Sequence, residues 1–352
     1  MGMKSTMKAI IINAPGDYGM YEVPVPPVPE GGLLLKVLAC GLCGSDLRTL
    51  RYGHHRVTLP FIIGHEVCGA VVNTGKGYEG IWQAGDILAA APLVYCGTCI
   101  FCRNDKSELC IGYKELAQAW PGGLAEYMAI PEEAVKRGTL QKIPAGMNPE
   151  HATLIEPLSS CVNAGEKGRI SRGDTVVIIG AGPVGTLHLE LSKVCGVDKI
   201  IVADIDDSRL EMIKTFEPDH IINASRTDLV KEVQSITNGL GADVIITANP
   251  DPQTHIQALE MAKKGGRILL FGGLPADKAM VTINMNTIHY NALELIGTTI
   301  FAPRHNRMAL QLITDGKISA DRFITHRLPL AQFNEGARLA LEGKARKVVF
   351  IP

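Results

Sequence analysis

Four cysteines, Cys96, Cys99, Cys102 and Cys110, follow one another with the spacing C-x2-C-x2-C-x7-C, and no other feature limits the fold as sharply. Thiolates this close in sequence can surround one tetrahedral zinc and fill every coordination position. Such a centre takes no substrate; it fastens the loop that carries it. Nine cysteines in all would also allow disulfides. No secretory leader is read ahead of them, however, and clustered C-x-x-C spacing in a reducing compartment indicates a metal.

The rest of the composition narrows the class. A chain of 352 residues is too long for one compact core and predicts two domains. Hydrophobic residues make up 46% and charged residues 20%, the balance of a soluble globular protein. A formal net charge of −1 gives no global attraction to nucleic acid or to an anionic membrane. No apolar run approaches the roughly 20 residues that span a bilayer. The expectation is a cytoplasmic protein that meets a small molecule, with neither nucleic acid nor membrane as partner. Residues 1–6 fit an N-myristoylation pattern. Short patterns match by chance, and the first plausible strand begins at Met7, so the pattern is set aside.

Residues 7–150 read as short strands broken by Gly and Pro: Ala9–Asn13, Leu33–Ala39, Val67–Val72 and Ile87–Ala90. Helical periodicity is confined to Cys43–Leu50 and Lys106–Cys110, and Glu22–Pro29 is a proline-stiffened extended connection. The texture changes near Glu156. Val176–Ile179 is a continuous apolar run, as a parallel strand buried on both faces requires. A helix with Val184, Leu187, Leu191 and Val194 on one face follows. Strand-like runs then recur at Ile200–Val202, Ile221–Ile222, Val244–Ile246, Ile268–Phe271 and Leu293–Ile296. Helical segments separate most of them, so the fold class is α/β: a mostly-β lobe plus a doubly wound parallel sheet.

Gly180, Gly182 and Gly185 form a GxGxxG loop directly after the strand Val176–Ile179 and at the start of a helix beginning near Pro183 and Val184. Gly180 permits the tight turn, Gly182 lets the backbone approach a pyrophosphate, and Gly185 lets helix and strand pack closely. The helix N-terminus offers unpaired N–H groups to the phosphates. Asp204, 19 residues beyond Gly185, stands at the end of the next strand, where a carboxylate binds ribose hydroxyls and repels a 2′-phosphate. That argues for NAD over NADP, although Arg209, five residues on, could meet a 2′-phosphate.

A second metal site is assembled from distant segments. Cys43 lies in a Gly-rich turn, His65 and Glu66 follow Gly64, and Glu156 precedes Pro157. One thiolate, one imidazole and one or two carboxylates hold zinc and leave a position open. An open zinc acts as a Lewis acid that lowers the pKa of a hydroxyl, as hydride transfer from an alcohol demands. Alone, His65 would be an ordinary core histidine and Glu66 a paired carboxylate; their company changes the reading. Cys40, Cys68, Cys161 and Cys195 lie in apolar runs and read as small core hydrophobes.

Taken together, Gly41–Asp46, Gly64–Gly69, the four-cysteine loop, Gly122–Tyr127, the glycine loop at 180–185, Ile324–Pro329 and Gly343–Arg346 resemble the zinc-containing medium-chain dehydrogenase/reductase family across essentially the whole chain. The resemblance implies a GroES-like catalytic domain at 1–156, a Rossmann NAD-binding domain at 157–299, and a return to the catalytic domain at 300–352. It implies two zincs per chain. One is structural, on Cys96, Cys99, Cys102 and Cys110. The other is catalytic, on Cys43, His65 and a carboxylate from Glu66 or Glu156. It gives Ser45 a place in the substrate's proton path and Arg346 a place at the cofactor pyrophosphate. It also implies a homodimer or homotetramer joined through strands at Val281–Ile283 and Leu293–Ile296.

Within the family, Cys43–Asp46 and Glu156–Ser159 look most like the polyol branch. The expected reaction is NAD-linked oxidation of a secondary hydroxyl of a polyol or sugar alcohol to a ketone. L-threonine or a simple secondary alcohol is the alternative substrate, and a non-catalytic NAD-binding protein is the remote one. One departure stands out: many relatives place a histidine five residues after the ligand cysteine, where this chain has Arg48. Arginine does not titrate near neutral pH, so the proton path ends at solvent, ends at a group such as His54 or His55, or is shortened. Arg48, helped by Arg51, could instead hold an anionic group of the substrate or a cofactor phosphate, and the first of these brings phosphorylated polyols into the expectation.

Overall fold

The computed structural model describes residues 5–352, so the first four residues of the myristoylation-like stretch lie outside the described residues. The chain forms two units, one running to Ser159 and resuming at Ile300–Pro352, the other spanning Ser160–Thr299. The anticipated boundary after Glu156 falls inside the helix Ile155–Gly168, and the division comes three residues later.

The first unit is built on an eight-stranded sheet. Its order is Ile324–Pro329, Lys347–Ile351, Leu33–Gly41, Glu66–Thr74, Ile87–Val94 and Lys114–Glu115. Tyr127–Ile130 pairs with Leu33–Gly41, and Gly138–Lys142 pairs with Ile87–Val94. Leu33, Leu35, Val67, Leu88, Leu124 and Phe350 meet in its core. The C-terminal strand Lys347–Ile351 lies antiparallel to Leu33–Gly41, so the chain's last residues reach the middle of the sheet. Thr6–Ala14 and Asp17–Pro24 form a separate hairpin, which draws in the first residues of the proline-stiffened connection. Of the helix expected over Lys106–Cys110 only one 3-10 turn forms, Ser107–Leu109, and the α-helical turn falls earlier, at Ile100–Arg103. The four cysteines must curl toward one point, which leaves no room for a regular helix.

The second unit is a six-stranded, all-parallel sheet in the order His220–Asn223, Lys199–Asp204, Thr175–Ile179, Ala242–Thr247, Ala262–Leu270, Glu294–Gly297. The chain order reverses at Thr175–Ile179, and this switch point is where open α/β sheets bind nucleotides. The helix Pro183–Cys195 departs from its expected single apolar stripe: Gly185–Ser192 are buried all round, while Val194 is 39% exposed. The helix Ile155–Gly168 covers its other side, since a side chain at Gly165 would already touch Leu191. Val281–Ile283, expected to be a strand, forms none; Glu294–Gly297 alone supplies that edge of the sheet. Among the described residues, no helix is long and apolar enough to cross a membrane.

His188 is the anomaly of this helix. It is fully buried, neither ring nitrogen has a hydrogen-bond partner, and the ring meets Phe271 edge-on at 4.7 Å. Burial alone pushes its pKa down to about 3. A histidine neutral in the fold but protonated in the unfolded chain withdraws stability as pH falls from its unfolded value of about 6.5 toward 3. His188→Leu is therefore expected to add about 1 kcal/mol at pH 7 by removing unsatisfied buried polar atoms. The gain should grow by about 1.4 kcal/mol per pH unit below 6.5. Urea unfolding at pH 7 and pH 5.5 checks this; a difference between the proteins that does not change with pH contradicts it.

Candidate catalytic and cofactor sites

The four sulfurs of Cys96, Cys99, Cys102 and Cys110 lie within 4.8 Å of one another. Cys102 Sγ stands 3.9 Å from Cys96 Sγ and 3.5 Å from Cys99 Sγ, and all nine cysteines are free thiols. Four sulfurs bound tetrahedrally at about 2.3 Å from one zinc are separated by about 3.8 Å, so the set fits that ion. The loop already favours charge on some of its sulfurs. Backbone N–H groups of Thr98 and Cys99 draw Cys96 down to about 5, whereas burial pushes Cys102 up to about 12. A divalent ion would turn all four into thiolates.

The second cluster brings together Cys43, His65 and Glu66, whose donor atoms also lie within 4.8 Å of one another. Local structure explains each placement. Cys43 is the N-cap of the helix Gly44–Tyr52, and its backbone N–H donates to Asp46 Oδ2 at 3.0 Å. Asp46 Oδ1 stands 3.2 Å from His65 Nδ1, with the carboxylate 4% exposed. One buried aspartate thus fixes both the turn that presents the thiol and the ring that presents the imidazole. Its contact with Nδ1 leaves Nε2 for a metal, the usual arrangement of a carboxylate behind a ligating histidine. Burial lowers the His65 pKa, but Asp46 and Cys43 more than reverse this and hold it well above its ordinary value.

Glu66 opens the strand Glu66–Thr74 and is 1% exposed. Its Oε2 accepts from Lys347 Nζ, itself buried, while Oε1 has no hydrogen-bond partner. A buried carboxylate oxygen without a donor, beside a thiol and an imidazole, fits a metal ion. Burial works against charge on Lys347, but Glu66, Cys43 and Glu156 hold its pKa above the ordinary value.

Glu156, in the first turn of the helix Ile155–Gly168, lies outside that cluster. It is near enough to feel it: burial, with Glu66 and Glu115 adding, pushes its carboxyl up to about 7, against the pull of His65 and Lys347. Ser45 Oγ is 3.5 Å from His65 Nε2. Arg48 is exposed on the same helix, and Arg51 lies over the Tyr52 ring at 5.4 Å. His54 stacks on His55 at 4.7 Å; burial, then His55, Arg56 and Arg48, lower its pKa. Arg346 is buried with Nη1 donating to the Arg322 carbonyl at 2.8 Å, and burial draws its pKa down to about 10.

In the second unit, Gly180 adopts φ 117°, and a Cβ there would stand 2.6 Å from the Ala248 carbonyl. A Cβ on Gly185 would lie 1.7 Å from the Gly180 carbonyl, so only glycine allows the helix to start there. Gly182, by contrast, faces open space at the N-cap of a 13-residue helix whose first N–H groups receive no side-chain cap. Such an N-terminus fits a pyrophosphate. Pro183 and Val184 begin that helix. Asp204 accepts from Ala181 N at 2.7 Å on Oδ2, and from Ile205 N and Asp206 N at 2.7 and 3.0 Å on Oδ1. The carboxylate therefore ties the glycine loop to the end of its strand and keeps part of Oδ2 for a further donor. Arg209 Nη1 stands 3.9 Å from that same oxygen.

Three residues next to the metal donors escaped the sequence reading. Asp46 was detectable as an acid three residues after Cys43 at a helix start, a capping signal. Lys347 closes the basic run Lys344-Ala-Arg346-Lys347 and opens an apolar strand, a signal that did not tell it apart from its neighbours. Glu115 gave no signal, since nothing in sequence ties it to His65; burial raises its pKa while His65 and Arg56 draw it back.

Comparison with known proteins identifies the family. Residues 29–144 match the alcohol dehydrogenase GroES-like domain, and residues 183–315 match the zinc-binding dehydrogenase domain. The chain is 36% identical to an L-threonine 3-dehydrogenase of Pyrococcus horikoshii over 360 aligned positions, which cover 99% of both chains. It is 30% identical to a sorbitol dehydrogenase of Bacillus subtilis, across 96% of this chain and 94% of that one. A crystal structure of a zinc-binding dehydrogenase from Sinorhizobium meliloti bound to NADP superposes with a TM-score of 0.88 at 28% identity, covering 99% of this chain and 100% of the other. The chain belongs to the zinc-containing medium-chain alcohol dehydrogenase family. It is a zinc-dependent oxidoreductase that uses a nicotinamide dinucleotide.

Asp46→Ala is expected to weaken zinc binding at Cys43, His65 and Glu66 by about 10–100-fold, as loss of a residue behind a metal ligand does, and to spare the four-cysteine ion. Zinc analysis after graded chelator dialysis checks this; equal loss from both sites contradicts it.

Proposed function

We propose that this enzyme oxidises the secondary hydroxyl of L-threonine or a closely related 3-hydroxy amino acid to a ketone with NAD. Cys43, His65 and Glu66 hold the catalytic zinc, and Glu156 stands beside them. The observation that carries this chemistry is the partnerless oxygen of buried Glu66 within a cluster of three donor residues. When bound, zinc supplies the Lewis acidity that lowers a hydroxyl's pKa, and the nicotinamide supplies the hydride acceptor.

The protein's own groups do the rest. Asp46 holds the Cys43 turn and the His65 ring together. Ser45, next to His65 Nε2, provides a hydroxyl through which a proton leaves. Arg48 cannot take that proton. The path then ends at solvent or at the stacked pair His54 and His55, where burial, then His55, Arg56 and Arg48, lower the His54 pKa.

The substrate class draws support from two sides. The likeness to the Pyrococcus horikoshii threonine dehydrogenase exceeds that to the sorbitol dehydrogenase. Glu115 and Glu156 also bring carboxyl oxygens near the donors, which can accept from an ammonium group and give a phosphate no cation to pair with; burial raises the pKa of both. The polyol reading, carried by Glu156–Ser159 and by the sorbitol dehydrogenase relative, stands second. Asp204 favours NAD, though the solved relative with NADP keeps the phosphorylated cofactor in any test. The open sheet edge at Glu294–Gly297 supports assembly into a homodimer or homotetramer.

NADH formation should be fastest with L-threonine in a panel that also holds sorbitol, xylitol and their phosphates; turnover of polyols alone would reverse the two readings. Cys43→Ala should abolish turnover and leave NADH binding intact by fluorescence titration. Asp204→Ala should weaken NAD binding about tenfold, the cost of losing a charged hydrogen bond, and narrow the gap to NADP. Unchanged affinity for both cofactors removes Asp204 from this role.

A further inference from the structure

We infer that Lys347 is a positioning residue of the metal site: it takes one oxygen of Glu66, leaves the other as the donor, and so limits how much of the Glu66 charge the metal receives. This rests on the reading that Cys43, His65 and Glu66 hold zinc.

The strands themselves bring the pair together. Gly41 lies opposite Glu66 on one side and opposite Val349, two residues past Lys347, on the other. A Cβ at Gly41 would stand 2.1 Å from Glu66 Oε2 and 3.0 Å from Lys347 Cε, so the glycine is the space through which the lysine reaches the glutamate. Lys347 Nζ also donates to the Leu42 carbonyl at 3.3 Å, next to Cys43, and the side chain is 3% exposed. The lysine thus grips two of the segments that present metal donors, from a strand nearly 300 residues away in sequence.

Charge supplies the function. Lys347 sets one positive charge against the Glu66 carboxylate and the Cys43 sulfur, close to the buried Asp46 carboxylate behind His65. Without the lysine the site is one charge more negative, its attraction for a cation grows, and both Glu66 oxygens are free for the metal. The ion would be held more tightly and polarise a hydroxyl less. A lysine that merely supported the fold would have the opposite effect: its loss would loosen the site.

The test measures zinc release from full-length protein into a chromogenic chelator, for wild type, Lys347→Met, Lys347→Gln and Lys347→Arg. Wild type should release two zincs per chain in two phases. Lys347→Met should slow one phase about tenfold, a typical scale for residues behind metal ligands, and lower kcat. Lys347→Gln keeps N–H donors for Glu66 and Leu42 without the charge, so it should slow the same phase even if Lys347→Met does not fold. Lys347→Arg should stay near wild type. Unchanged or faster release from the neutral variants overturns the inference while leaving the zinc site in place. One zinc per wild-type chain overturns the site reading, and this inference with it.

Discussion

A carboxylate buried at 1% exposure is costly to keep charged, and the catalytic lobe is arranged around keeping Glu66 charged. Lys347 answers one oxygen, and the other lies among the groups that suit a divalent ion. Breaking such a buried pair by removing one partner typically costs about 3–5 kcal/mol, more than most single contacts contribute. That explains why the chain's last strand is threaded beside Leu33–Gly41 and why Gly41 carries no side chain. The sheet order, the glycine and the terminal lysine express one electrostatic requirement.

The second unit obeys a different constraint, that of bringing backbone close to a phosphate. Gly180 and Gly185 let the strand Thr175–Ile179 turn straight into a helix, and Gly182 leaves the space in front of its N-terminus open. Asp204 is the tie that fastens this loop, and in the proposed function it is also the acceptor for a ribose. Those two jobs share one carboxylate, so a change there touches loop geometry as well as cofactor choice.

Much of this was legible in sequence because it is local. The C-x2-C-x2-C-x7-C spacing, the GxGxxG loop after an apolar run and the alternation of strands and helices each announce themselves within a few tens of residues. What was not legible depends on pairing across the chain. Lys347 and Glu66 are joined only by sheet register, and Glu115 meets the site only through the short strand Lys114–Glu115. The sequence left Glu66 and Glu156 as equal candidates; sheet register sets Glu66 opposite Gly41, two residues before Cys43, whereas Glu156 enters on the first turn of a helix and stays outside the cluster. The missing strand at Val281–Ile283 and the all-round burial of Pro183–Cys195 are tertiary outcomes that periodicity does not encode.

The central claim is that Cys43, His65 and Glu66 hold a zinc distinct from the four-cysteine ion. Anomalous diffraction at the zinc edge, from crystals of zinc-replete protein, tests it most directly. Two peaks per chain are predicted, one enclosed by Cys96, Cys99, Cys102 and Cys110, the other bounded by Cys43, His65 and Glu66. A single peak at the four cysteines, or a second peak away from Cys43 and His65, would contradict the account.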